Sequence, residues 1–274
     1  MISDQIYKFF SDYVYKHTGI LYKDTDYYRL DSRINTLIKH FDVPGPDELF
    51  QLLAMEITPQ THDLLVDLFT NNETYFMRDL KPFKAFAKGL ISSIKESGNL
   101  IGGIHLWSCA SSTGQEVYSI QMAIDTFGDP NDLITMKIDA SDISKEALKK
   151  AKEGSYTGLE VQRGLPAPLL IKYFEKKGEE DKWTVKTNLR ARPNFFEFNL
   201  LSGNFPVSKY HIIFCRNVLI YQDMDNKRKI LENIYQALKP GGYLVFGAGE
   251  SMIGVQLPFE HVEIEGAWFY RKKS

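Results

Sequence analysis

Ile104-His105-Leu106-Trp107-Ser108-Cys109-Ala110-Ser111-Ser112-Thr113-Gly114-Gln115-Glu116 is the stretch on which the fold turns. Ile104 to Ser108 is a short apolar run that predicts a strand, and Cys109 to Gly114 is a loop of small residues. Val117, Ile120, Ile124 and Phe127 then recur at the spacing of one helix face. In an open parallel sheet a ligand sits beyond the carboxyl ends of the strands, and this loop marks the first such end. Small side chains let backbone approach a ligand, and the unpaired amides of the following helix favour an anionic group. Gly114 is the only glycine in the loop, so the G-x-G-x-x-G phosphate fingerprint is absent. A ligand with one carboxylate and a ribose suits the loop better.

Downstream, the pattern repeats. Leu133 to Ala140 predicts a second strand, and Ser144 caps a helix running to Lys152. Tyr210 to Cys215 (strand), Asp225 to Leu238 (helix) and Gly242 to Gly247 (strand) follow. Strand-helix-strand order implies crossover connections and a parallel sheet covered on both faces. The alternating tail, Val262 to Tyr270, suits a closing antiparallel strand. Residues 155–196 interrupt the alternation with Gly158, Gly164, Pro166, Pro168, the charged run EKKGEEDKW and candidate strands Trp183 to Thr187 and Phe195 to Phe198. They read as a small inserted β-subdomain with hairpin character; a long mobile lid is the alternative.

Upstream, residues 1–70 read as a helical bundle. Ile2, Ile6, Phe9, Phe10 and Tyr13 share helical spacing, as do Leu30, Ile34, Leu37 and Ile38. Pro44-Gly45-Pro46 precedes a third helix, Asp47 to Met55, and His62 to Phe69 predicts a fourth. Residues 71–99 link the bundle to a domain spanning 100–274.

A net charge of −2 argues against a general nucleic-acid binder, which carries a basic excess. Two cysteines, Cys109 and Cys215, are too few for a disulfide framework or zinc site and fit a reducing compartment. The amino terminus lacks a signal-peptide pattern, and no apolar run approaches the roughly 20 residues that span a bilayer. A cytoplasmic monomer without membrane insertion is expected.

An acid at the end of the second strand is how such sheets hold ribose hydroxyls, and both Asp139 and Asp142 qualify; either could instead cap the next helix. Leu238-Lys239-Pro240-Gly241-Gly242-Tyr243 reads as a helix-ending turn into a strand.

Seven blocks, in order, resemble the CheR family of chemotaxis receptor methyltransferases. Asn72-Glu73-Thr74-Tyr75-Phe76-Met77-Arg78-Asp79 is similar to that family's N-E-T-x-F-F-R-D signature, and Leu106 to Ser119 to its W-S-A-G-C-S-T-G-E-E-P-Y-S loop. Ala140-Ser141-Asp142-Ile143, Phe198-Asn199-Leu200, Phe214 to Tyr221, Leu238 to Gly242 and Gly249-Glu250-Ser251 complete the set. The resemblance implies an α/β fold: a Rossmann-like methyltransferase sheet, an inserted antiparallel β-subdomain and an amino-terminal helical domain. It implies S-adenosylmethionine as cofactor, held by Asn72, Thr74, Arg78, Glu116, Asp142, Asn199, Leu200, Arg216 and Asn217. Tyr221 faces the transferred methyl group in that scheme, with Arg78 beside it. No metal is implied. Three departures stand out: Ala110, Gln115 and Val117 replace the loop's glycine, first glutamate and proline; Met77 replaces a phenylalanine; and His211, read as structural, stands where aspartate is usual.

Methyl transfer from a sulfonium to a carboxylate joins a cation to an anion. A glutamate with a reference pKa near ~4.3 is already ionised at neutral pH, so the absence of a catalytic triad is no objection. The remaining task is to exclude water and align atoms, with Arg78, Arg216 and Tyr221 as donors to a carboxylate. Arg29, Arg33 and Lys39, with His40, form a basic stripe; by resemblance it meets an acidic chemoreceptor coiled coil, and by composition alone it is a solvated face. Two other readings stay open: a methyltransferase of RNA or a small molecule, and a cofactor-sensing module without turnover.

Overall fold

The computed structural model describes residues 2–98, 100, 102–176, 178 and 181–273. Four helices come first: α1 (Asp4–Thr18), α2 (Tyr28–His40), α3 (Pro46–Met55) and α4 (Pro59–Phe69). Their apolar faces meet in one cluster around Ile6, Phe10, Leu30, Ile34, Leu49 and Phe69, as the helical spacing predicts. Gly19 ends α1 in the left-handed region, its amide closing on the Tyr15 carbonyl. A further helical stretch, α5 (Leu80–Ala85), a π-turn and α6 (Ile91–Glu96), leads into the sheet.

The sheet begins with β1 (His105–Cys109), α7 (Gln115–Phe127), one turn α8 (Asp132–Thr135), β2 (Lys137–Asp142) and α9 (Lys145–Glu153). The second strand thus starts later than its sequence suggests. Asp129 accepts the Asn131 amide, and Leu133 to Thr135 close a helical turn that brings the Met136 amide onto Asp132 O at 3.2 Å. Ser144 caps α9 as expected, accepting the Ala147 amide at 3.0 Å.

The interrupting segment holds β3 (Ser155–Thr157), α10 (Gly158–Gln162), α11 (Ala167–Tyr173), β4 (Phe174–Lys176), β5 (Lys182–Val185) and α12 (Thr187–Arg190). Strands β3, β5 and β4 form a three-stranded antiparallel sheet. Lys177, Glu179 and Glu180 of the charged run lie outside the described residues. The candidate strand at Phe195 to Phe198 does not join a hairpin here. As β6 (Asn194–Glu197) it pairs in parallel with β2, because Phe195 and Phe196 point to opposite sides of the main sheet and pack into its two clusters.

Then come β7 (Tyr210–Cys215), α13 (Met224–Ala237), β8 (Leu238–Val245), β9 (Phe259–Ile264) and β10 (Ala267–Lys272). The seven-stranded order is β6-β2-β1-β7-β8-β10-β9, parallel through β8 and antiparallel beyond it. Two sequence expectations shift. Lys239 to Gly242 is an irregularity inside β8: Tyr210 pairs with Leu238 but Ile212 with Tyr243, so the extra residues loop out between. The tail is a hairpin of two strands, turned at Glu265-Gly266, both with positive φ.

Period-two alternation divides the sheet's contacts. Leu106, Ile212 and Phe214 pack on one face, under α5 to α7; Trp107, Ile213 and Cys215 pack on the other, under α13. Trp107 is fully buried, stacks on Tyr210 and donates to Ser141 Oγ at 2.9 Å. His211 takes the structural part expected of it, its Nδ1 accepting the His105 amide. Among the described residues no helix is long and apolar enough to cross a membrane.

Candidate active site

Strand register assembles the site. Cys109 lies beside Ser141 on one side and Cys215 on the other, so the next residues, Ala110, Asp142 and Arg216, emerge together at the carboxyl edge. They floor an open cleft whose empty space, solvent at its mouth included, is about 950 Å³. Asn72, Thr74, Arg78, Glu116, Asp142, Asn199, Leu200, Arg216, Asn217 and Tyr221 all line it. The ten residues come from five separate stretches of chain.

The loop after β1 is held open by backbone geometry that side chains rarely adopt. Ala110 and Ser112 have φ of 57° and 50°, and Met77, Asp79 and Asn217 around the cleft are likewise left-handed. Such conformations cluster where a site is over-determined by its surroundings. Gly114 (φ 92°) starts α7, and a Cβ there would meet the Ala151 Cβ at 2.9 Å, so this glycine is fixed by packing.

Asp142 is buried and accepts the Ser112 amide at 2.7 Å and the Ser144 amide at 3.0 Å. It therefore ties the β1 loop to the start of α9. Burial pushes its carboxyl up, and the amides of Ser144, Ser112 and Ile143 pull back. Asp139, the other candidate acid, faces away from the cleft. It binds Lys209, Tyr210 and Asn194 instead, which leaves Asp142 as the acid at the site.

Arg216 is not a free donor. Its guanidinium meets Glu116 at 2.9 Å, Asp79 at 2.9 Å and the Arg78 carbonyl at 2.8 Å, and lies over the Phe83 ring. With all these partners it clamps the segment after Phe76 onto the sheet rather than reaching toward a substrate. Glu116 also accepts from Ser108 Oγ at 2.8 Å; burial pushes its carboxyl up against the opposing pull of Arg216. Arg78, by contrast, bonds the Glu73 carbonyl at 3.2 Å and lies beside Tyr75.

Asn199 donates to the His17 carbonyl at 2.8 Å, and Gln222 to the Thr18 carbonyl at 3.1 Å. The end of α1 thus forms part of the rim, where Thr18 and Ile20 join the lining. Sequence reading missed both. It placed Glu250 in a matched block but gave it no role; its carboxylate gathers the amides of Asn217, Val218, Leu219 and Gly247 between 2.6 and 3.0 Å and so fixes the turn that carries Tyr221. The basic stripe is only partly assembled. Arg29 and Arg33 both lie over the Tyr22 ring, whereas Lys39, six residues past Arg33, is rotated by about 240° around α2.

The chemistry of the lining fits a nucleoside carrying an amino acid. Ser111 Oγ and Gln222 Oε1 are buried in the cleft wall without a protein partner, and the Asp142 oxygens retain lone pairs for hydroxyl groups. Sheet order, small-residue loop and buried acid together define an S-adenosylmethionine-dependent methyltransferase. The family profile described as CheR methyltransferase, SAM binding domain, matches residues 72–267. Chemotaxis protein methyltransferase Cher2 of Pseudomonas putida is 37% identical over 268 residues, covering 96% of each chain. Chemotaxis protein methyltransferase 1 of Pseudomonas aeruginosa is 35% identical over 97% of each. The Escherichia coli chemotaxis protein methyltransferase is 30% identical, over 96% of this chain and 87% of its own. The chain belongs to the CheR methyltransferase family.

Proposed function

We propose that this chain is a protein-glutamate O-methyltransferase that esterifies glutamate side chains of chemoreceptors from the cytoplasm, acting as a monomer and tuning receptor signalling. The single observation that carries the reading is the cleft's composition. It offers polar groups for a nucleoside amino acid at its floor and a tyrosine, Tyr221, among its lining residues, but among the described residues no histidine or cysteine lines it. A carboxylate acceptor is the common biological nucleophile that needs none. The relatives' names, which all carry chemotaxis, support the same acceptor class.

When bound, S-adenosylmethionine supplies an electrophilic methyl group on a sulfonium. Asp142 would hold the ribose hydroxyls, Asn72, Thr74, Arg78 and Glu116 would hold the amino-acid end, and Asn199 and Leu200 would lie toward the adenine. Arg216 and Asn217 act through position, the first by clamping Asp79 and Glu116, the second by turning the chain toward Tyr221. Tyr221 and Arg78 align the acceptor carboxylate. Attack neutralises charge, so excluding water favours it and alignment can supply on the order of 7–11 kcal/mol. In this scheme residues 1–70 form a receptor-facing helical domain using Arg29, Arg33 and Lys39. Residues 71–99 link it to the methyltransferase domain at 100–274, into which the segment from β3 to α12, residues 155–190, is inserted, the rest of the interruption (β6) belonging to the main sheet.

Incubation with methyl-labelled cofactor and receptor cytoplasmic fragments, followed by alkali treatment, tests this. Base-labile label on receptor glutamates is the expected result. Label on nucleic acid or a metabolite, or cofactor binding without transfer, refutes it.

A further inference from the structure

Asn71 sits immediately before the matched N-E-T block and lines the cleft together with Tyr221. Its amide nitrogen lies 2.6 Å from the Tyr221 hydroxyl. Its amide oxygen accepts the Glu73 backbone N–H at 3.3 Å. The second contact settles which way the amide faces, because reversing it would set the NH₂ against another donor. The Tyr221 oxygen therefore accepts a hydrogen bond from Asn71, and the phenol's one proton must point elsewhere.

The rest of Tyr221 is fixed. Its carbonyl accepts the Leu21 amide at 3.3 Å and its own amide donates to Val218 O at 3.3 Å, on the turn that Glu250 braces. With backbone and hydroxyl oxygen both held, the hydroxyl proton remains the one adjustable element, and Asn71 has removed one of its possible acceptors.

We infer that Asn71 is a positioning residue: by occupying the Tyr221 oxygen as a donor, it commits the tyrosine's proton to a carboxylate oxygen of the acceptor glutamate. This rests on the reading that Tyr221 aligns the acceptor. The proton is donated to the oxygen that is not methylated, so the other oxygen keeps its lone pair for attack. No proton changes owner. A hydroxyl that accepts one hydrogen bond also donates a stronger one, so the two contacts reinforce each other.

The experiment is a double-mutant cycle between Asn71 and Tyr221, read as kcat for labelled methyl transfer to receptor cytoplasmic fragments, with cofactor affinity by calorimetry. Asn71→Ala should lower kcat about five- to tenfold, the worth of one neutral hydrogen bond, and leave cofactor affinity within about twofold. In a Tyr221→Phe background the same substitution should cost less than about twofold. Asn71→Asp, nearly identical in shape, offers the hydroxyl an acceptor instead of a donor and should lower kcat at least as much, which covers a fold defect in the alanine variant. Full kcat in both Asn71 variants, with Tyr221→Phe slow, overturns the inference and leaves the tyrosine's role standing. Equal loss in both backgrounds also overturns it. An unimpaired Tyr221→Phe enzyme overturns both.

Discussion

Arg216 and Glu116 meet at 2.9 Å at the base of the cleft, and the arginine side chain is only 1% exposed. A buried pair of this kind does not by itself argue for net stability, because desolvating two ions offsets their attraction. Removing one partner is another matter, since it strands a buried charge. Arg216→Met should lower unfolding stability by about 3–5 kcal/mol in urea titrations. Glu116→Gln added to it should recover part of that loss. A loss under about 1 kcal/mol would mean the clamp to Glu116 and Asp79 does not hold in solution.

Asp142→Ala removes the acceptor of two backbone amides as well as the proposed ribose contact. Each amide left without a partner costs about 1–3 kcal/mol, so the variant should be less stable by roughly 2 kcal/mol or more. Cofactor affinity should fall at least tenfold by calorimetry. Unchanged affinity in a folded Asp142→Ala protein would remove the ribose role and leave Asp142 as a loop brace.

What the sequence could and could not disclose follows from the range of the interactions. Strand β7 and the capped start of α9 are written in local patterns, an unbroken apolar run and a serine before a helix, and both are found where those patterns put them. The Lys239 to Gly242 irregularity was misread because glycine and proline signal a break without saying whether the strand continues past it. Asp139 and Asp142 lie three residues apart and are equivalent by composition. Only the pairing of β2 between β1 and β6 turns one toward Lys209 and the other toward the β1 loop. Arg216 looked like a donor for substrate because its partners Asp79 and Glu116 are 137 and 100 residues away in the chain. Glu250 and Asn71 carry no periodicity and act through backbone amides and one hydroxyl, so nothing local marked what they hold.

His17 ends α1 beside His62, ring centroids 4.8 Å apart, and its carbonyl receives Asn199 from the cleft rim. Burial first, then the charges of His62 and Lys16, hold its pKa below the ordinary histidine value of 6.5. At this site the folded state therefore binds fewer protons than the unfolded chain just below that value, and the His17 contribution to stability falls as pH drops through the window beneath it. His105 is shifted in the same direction, so the effect is shared. The urea midpoint should decrease from pH 7.5 to pH 5.5, and His17→Gln should flatten that slope without abolishing it. An unchanged slope in the variant would show that folding does not shift the His17 pKa.

Ala110 occupies a left-handed backbone position, φ 57°, at the point where the family resemblance leads one to expect glycine. For an L-residue with a Cβ this conformation costs roughly 1–2 kcal/mol. Glycine removes that strain but loses more entropy on folding, by roughly 0.5–1 kcal/mol relative to alanine. The two partly cancel, with the strain the larger, so Ala110→Gly should stabilise the protein by no more than about 1.5 kcal/mol. Cofactor affinity is the more telling readout. Ala110 lies in the cleft lining, and a glycine there would let the loop backbone approach a ligand more closely. Ala110→Gly should therefore tighten cofactor binding by a few-fold in calorimetry. Weaker binding would mean that the methyl group makes a favourable contact with the cofactor, and that the departure at this position is a gain in packing rather than a strain the fold tolerates.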